Sequence, residues 1–154
     1  MTEGEIKDPR AQLRFRAMDL LARREHSQRE LQNKLAEHFP EQVVLLPEVI
    51  ESLQRDGLQS DSRFAEAFIA ARSRKGQGPY RIRQELQQRG VSAELVSRVM
   101  AECEVDWFQL AAEVAARKYG AKPCDSIQER ARRSRFLHYR GFSGEQIQAC
   151  FDGD

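Results

Sequence analysis

Apolar residues recur along this chain at helical spacing, and nowhere do polar and apolar residues alternate convincingly enough for a strand. From Ala11 they fall at Leu13, Ala17, Leu20 and Leu21, one face of a helix whose pattern stops near Glu25-His26. Ser27-Gln28-Arg29-Glu30 then reads as a capping box, in which the Ser hydroxyl accepts from an orphan N–H and Glu30 reaches back to the cap. Leu31 and Leu35 form the stripe of this second helix, and Pro40 ends it. Pro47 suits the first turn of a third helix, with Val49, Ile50 and Leu53 on its face and Gly57 at its stop.

The scheme recurs twice. Ser60, Asp61 or Ser62 caps a helix on which Phe64, Ala67, Phe68 and Ala71 share a face. Gly76-Gln77-Gly78-Pro79 breaks it and opens a helix with Ile82 and Leu86 inward. Gly90 stops that helix, Ser92 caps the next, and Leu95, Val96, Val99 and Met100 line it. The last unit begins at Asp106-Trp107, with Trp107, Leu110, Ala111 and Val114 on one face and a break from Gly120 to Pro123. Ser126-Ile127-Gln128-Glu129 repeats the capping-box signature before a helix with Ile127, Ala131 and Leu137 inward. Arg89-Gly90-Val91-Ser92-Ala93-Glu94 then recurs as Arg140-Gly141-Phe142-Ser143-Gly144-Glu145, an offset of 51 residues. In each copy Gly supplies a left-handed stop, the next apolar residue plugs the corner, Ser caps, and Glu lies at the positive end of the new helix.

These patterns predict an all-α chain of nine helices in three tandem three-helix repeats, over residues 11–57, 58–105 and 106–154, in an elongated, curved arrangement. Residues 1–10 are polar and patternless and read as a disordered N-terminal tail.

Composition agrees with small helical units. Hydrophobic residues make up 40% of the 154 and charged residues 32%. The formal net charge of +1 predicts no nucleic-acid partner, but it hides a block. Residues 63–98 carry eight basic and three acidic groups, a net of +5, whereas residues 1–62 carry a net of −3. Cys103, Cys124 and Cys150 are too few and too far apart for zinc, and their odd number argues against a disulfide framework. Cys103 and Cys150 fall at apolar helix positions, as small core residues. Reduced thiols and no apolar run near the roughly 18 residues of a membrane span point to a cytoplasmic protein without a membrane partner.

No catalytic constellation is visible. His26, His38 and His138 are scattered, and Gly76-Gln77-Gly78-Pro79 lacks the preceding strand and following Lys–Ser/Thr pair of a phosphate loop. The expectation is no enzyme, no cofactor and no metal. A binding face is better supported. With Ile82 and Leu86 inward, Arg81, Arg83, Gln84 and Gln87 face outward, and Arg72, Arg74 and Lys75 stand close in sequence. Planar guanidinium forks suit carboxylates and phosphates. The competing reading is a solvated face in which Glu85 pairs with Arg81 and Arg89. A second cluster, Arg130, Arg132 and Arg133 with Arg135 and Arg140, lies on the corresponding helix of the last unit, and such repetition suits an extended target.

The run Gly57-Leu58, Asp61-Ser62-Arg63-Phe64, Phe68-Ile69, Arg72, then Lys75-Gly76-Gln77-Gly78-Pro79-Tyr80-Arg81-Ile82-Arg83-Gln84-Glu85-Leu86 and Gly90-Val91-Ser92 resembles the hallmark region of the RecX family, bacterial regulators of the RecA recombinase. Weaker similarity extends over His26-Ser27, Asp106-Trp107, Arg117-Lys118-Tyr119-Gly120 and Arg135 to Phe142, and the first unit departs most around Glu41 to Leu46. The resemblance implies three-helix repeats in a curved molecule that binds the groove of the recombinase–single-stranded DNA filament. It also implies inhibition of filament extension, ATP hydrolysis, strand exchange and SOS co-protease activity, with no catalytic residues. The chain is expected to act as a monomer, with weak direct DNA binding left open. The alternative is a helix-turn-helix-like module acting on naked DNA, which salt-dependent, sequence-selective duplex binding would reveal. A scaffold for some other acidic protein ranks third.

Overall fold

Three separate apolar clusters, one for each group of three helices, organise the computed structural model, which describes residues 1–152. The first unit holds α1 (Pro9–Arg23), α2 (Gln28–His38) and α3 (Leu46–Arg55). The second holds α4 (Asp61–Arg74), α5 (Pro79–Gln88) and α6 (Ala93–Glu102), and the third α7 (Trp107–Tyr119), α8 (Ile127–Arg140) and α9 (Gly144–Phe151). Among the described residues there is no strand.

Local sequence sets the helix ends. The Ser27 hydroxyl accepts from the Glu30 N–H while the Glu30 carboxylate accepts from the Ser27 N–H, so two orphan donors are met. Ser60, Ser92, Asp106, Ser126 and Ser143 cap later helices in the same way on the backbone side. At Ser126 the box is half-made, because the Glu129 carboxylate turns to Arg132 and Arg133 instead. Val91 and Phe142 plug the corners after Gly90 and Gly141 and are almost fully buried.

Some expectations shift. The inward face of α4 is Phe64, Ala65, Phe68 and Ile69, with Ala67 exposed, because α4 packs on both α5 and α6 and needs a wider stripe than one row. Ile127 is 85% exposed, since the first turn of α8 stands clear of its neighbours. Trp107 opens the third unit in sequence but packs on the core of the second, bridging the two. Pro40 ends α2 and also starts a 3-10 turn, Pro40–Leu45, that leads into α3. Residues Glu3–Glu5, expected within a disordered tail, form a 3-10 turn: Glu3 accepts from His38 at 2.7 Å and lies 3.6 Å from Arg16.

The units run in series. Each packs on its sequence neighbour, and among the described residues no hydrogen bond or ion pair joins the first to the third. The surface of 9654 Å² exceeds the roughly 8000 Å² expected of a compact monomer of this mass, as a tandem array requires.

The two joints are built alike. At the first, the Ser27 hydroxyl at the start of α2 donates to the Arg89 carbonyl at 2.7 Å. At the second, the Gly78 N–H at the start of α5 donates to the Arg140 carbonyl at 2.8 Å, and the Tyr80 N–H donates to Gly141 at 2.9 Å. Ser27 to Gly78 and Arg89 to Arg140 are both steps of 51, so the repeat visible in the corners also governs how units dock. Each unit presents the start of its middle helix to the Arg-Gly corner of the next. The second joint is tight: a Cβ on Gly78 would lie 2.4 Å from the Gly141 carbonyl carbon.

Candidate partner-binding surface

The middle unit carries a compact group of cations without acidic partners at the end of α4 and on α5. Arg74, Lys75 and Arg83 are exposed and take no carboxylate among the described residues, and Gln84 and Gln87 are exposed beside them on α5. The Arg83 guanidinium lies 6.0 Å from the ring centre of Tyr80, itself 59% exposed. Arg72 and Arg81 are more constrained. Glu85, half-buried, is 3.2 Å from Arg81 Nε and 3.6 Å from Arg72 Nη1, so one carboxylate ties α4 to α5. Arg72 also stacks over Phe68 at 4.6 Å. Arg89 does not join this cluster. It turns across the first joint to Glu30 at 3.5 Å.

The arginines of α8 divide. Arg133 is only 12% exposed at its side chain, pairs with Glu129, donates to the Lys122 and Pro123 carbonyls and lies 4.5 Å over Tyr119. It holds the α7–α8 loop. Arg132 is exposed but ion-paired to Glu129, whose carboxyl is held below its ordinary range first by the Arg133 hydrogen bond and then by Arg132. Arg130 is exposed and lies 4.4 Å over Phe151.

Two surface depressions flank the second joint. One, of about 470 Å³, is lined by Tyr80, Arg81, Gln84, Glu85, Gln88, His138 and Tyr139 with the Gly141-Phe142 corner as its floor. The other, of about 270 Å³, lies between Lys75-Gly76 and Val114, Arg117, Lys118, Phe136 and Arg140. Arg117 and Lys118 escape a search for Arg-rich helices, because their helix α7 contributes only this pair. Their proximity to Lys75 depends on the joint.

The first joint is structural rather than open. His26 is 1% exposed, its Nε2 lies 3.0 Å from Lys34 Nζ and its Nδ1 3.0 Å from the Arg24 carbonyl. An ammonium can only donate, so Nε2 accepts and the proton resides on Nδ1. Burial above all holds the imidazole below its ordinary pKa, and the Arg24 and Lys34 charges act in the same sense. Gln59 donates to the His26 carbonyl, Asp61 accepts from the Gln28 N–H at 2.7 Å, and Arg63 pairs with Glu25 at 2.9 Å.

No group of three or more His, Cys, Asp or Glu side chains is placed to hold a metal among the described residues, and no helix is long and apolar enough to cross a membrane. The fold and surface define a tandem three-helix-repeat protein whose conspicuous chemistry is recognition. Family models for the first, second and third three-helix domains of RecX match residues 14–45, 60–100 and 104–151. The regulatory protein RecX of Cronobacter sakazakii is 46% identical, covering 88% of both chains, and that of Shigella boydii is 44% identical, covering 96% of this chain and 95% of its own. The chain belongs to the RecX family. In fold it is similar to the crystal structure of RecX from Lactobacillus salivarius, with a TM-score of 0.78 at 19% identity over 96% of this chain and 97% of that one. A second structure, of regulatory protein RecX, superposes with a TM-score of 0.77 at 22% identity over 94% and 72%.

Proposed function

We propose that this protein is a negative regulator of the RecA recombinase that binds in the groove of the recombinase–single-stranded DNA filament. Bound there, it blocks extension, promotes disassembly and lowers ATP hydrolysis, strand exchange and SOS co-protease activity, all within the cytoplasm. Family membership supports the partner. The observation that carries the contact is the unpaired group Arg74, Lys75, Arg83, Gln84 and Gln87 on the middle unit, at the centre of a series array. A monomeric array offers donors to neighbouring subunits of a repetitive filament, and modest individual contacts then combine through effective concentration. Arg81 and Arg72 contribute from the Glu85 network, and Arg130 and Arg132 extend the surface onto the third unit. Binding needs no chemistry from the chain and no cofactor.

The test is the recombinase's DNA-dependent ATPase on preformed filaments, with this protein well below the recombinase concentration. The rate is expected to fall with the natural chain and to recover with Arg81→Ala/Arg83→Ala, whose fold is checked by circular dichroism. Full inhibition by the folded double variant would remove α5 from the contact. No effect of the natural chain even at equimolar ratio would remove the filament as target.

A further inference from the structure

The two depressions beside the second joint differ in chemistry, and the difference bears on the DNA contact that the filament reading leaves open. In the larger cleft the charges are balanced: Arg81 is held by Glu85 at 3.2 Å, and these are its only fully charged lining groups. What it offers beyond that pair is two exposed tyrosine rings, Tyr80 and Tyr139 at 59% and 74% exposure, with Arg83 6.0 Å from the centre of the first and Arg81 5.5 Å from that of the second, and the amides of Gln84 and Gln88. Flat faces with donor and acceptor edges beside them match a flat ring with a hydrogen-bonding rim. In the smaller groove the charges are unbalanced. Lys75, Arg117, Lys118 and Arg140 line it with no carboxylate. Lys118 and Arg140 converge on one ring, lying 5.2 and 5.5 Å from the centre of Phe136, and Arg140 is fixed further by its bond to the Lys75 carbonyl. Like charges gathered this way repel unless an anion joins them.

We infer that the joint between the second and third units is a subsite for single-stranded nucleic acid, with an unstacked base taken between Tyr80 and Tyr139 and backbone phosphates on Lys75, Arg117, Lys118 and Arg140. An acidic peptide would satisfy the cationic groove and leave the tyrosine cleft without a use. A duplex would keep its bases stacked away from the rings. Single-stranded nucleic acid uses both, and the last turn of α8 supplies residues to each, so one strand crossing the joint meets them in succession. This deepens the filament reading by naming a DNA contact within it, and it is tested without the recombinase so that the two stand or fall separately.

The probe is a fluorescein-labelled 20-mer of oligodeoxythymidine, titrated with the full chain by anisotropy over a range of salt concentrations. The natural chain binds with log K falling against log salt by about 0.7 per phosphate neutralised. Arg117→Ala/Lys118→Ala reduces that slope by about 1.4. Tyr80→Ala/Tyr139→Ala leaves the slope unchanged and weakens binding roughly ten- to a hundredfold, while Tyr80→Phe/Tyr139→Phe, which keeps the ring faces, restores it. A 20-mer of abasic sites loses as much affinity as the alanine pair does. Absence of binding by the natural chain overturns the inference, as does equal binding of the abasic strand, or folded tyrosine variants that bind as the natural chain does. Tyrosine variants that bind DNA normally but no longer inhibit the recombinase assign the cleft to a protein segment, and also overturn it.

Discussion

Replacing Gly78 by Ala isolates what the second joint contributes. The added methyl carbon would sit 2.4 Å from the Gly141 carbonyl carbon, 2.5 Å from its oxygen and 2.6 Å from the Phe142 nitrogen. All three are backbone atoms, so no side-chain rotation relieves the overlap. The α5 start must withdraw from the α8–α9 corner, and the Gly78 and Tyr80 N–H bonds at 2.8 and 2.9 Å are lost or stretched. Two net hydrogen bonds at about 1 kcal/mol each, with about 1–3 kcal/mol for overpacking, give a destabilisation of about 3–5 kcal/mol. For a chain of this length that lowers Tm by about 6–20 °C. Gly144→Ala is the control, because nothing lies within 4 Å of its added carbon. Differential scanning calorimetry reads the shift, and small-angle X-ray scattering reads the opened joint as a larger radius of gyration. A Gly78→Ala protein with unchanged Tm and scattering curve would refute the close-contact argument.

Ser27→Ala removes the α2 cap and orphans the half-buried Arg89 carbonyl, so urea unfolding is expected to show a loss of about 2–4 kcal/mol; a loss below about 1 would mean that the hydroxyl bridges nothing. Arg133→Ala frees the α7–α8 loop and is expected to lower Tm by several degrees while inhibition per folded molecule is kept, whereas Arg83→Ala does the reverse; the two assays run side by side separate a fastener from a contact. Acid should weaken the first joint. Burial pushes Glu30 up, but the Arg24 hydrogen bond, the Ser27 N–H and the Arg24 charge outweigh it, so the carboxyl lies below its ordinary value, and the stability it gives is full at neutral pH and lost as pH falls through that lowered value. His26 acts in the same direction: its folded pKa is depressed, so stability is full above the unfolded value of about 6.5 and declines as pH falls toward the folded one. Urea midpoints at pH 7.5, 6 and 4.5 should decrease in that order, and His26→Gln should flatten the upper interval.

What could be read from the chain alone is what depends on near neighbours in sequence. The Ser27–Glu30 box, the Gly90 and Gly141 stops and the Val91 and Phe142 plugs each involve residues within a few positions, so spacing reveals them. Helix faces are also largely legible, with errors where more than one partner sets the stripe, as on α4, or where a turn overhangs, as at Ile127. The joints are different in kind. Gly76-Gln77-Gly78-Pro79 reads as a helix break, which it is, but Gly78 must be glycine because of Gly141, far along the chain. Charge state misleads similarly. Nothing local distinguishes Arg133, folded onto carbonyls of the preceding loop, from Arg130 on the open face, and the gathering of Lys75 with Arg117, Lys118 and Arg140 exists only once two units have docked.

The direction of docking sets a limit to growth. The first and second units each hand a helix start forward to a corner, and the receiving corner is a glycine with a left-handed backbone at Gly90 and Gly141. The first unit has no such receptor: Phe39 takes its place with φ −125°, the chain continues into the Pro40–Leu45 turn, and Glu3 is drawn onto the adjacent His38. Repeats that stack by one recurring contact risk open-ended polymers, as any head-to-tail interface does. Here the α2–α3 turn of the first unit lacks the glycine corner, so the contact that joins the units is not offered a third time there.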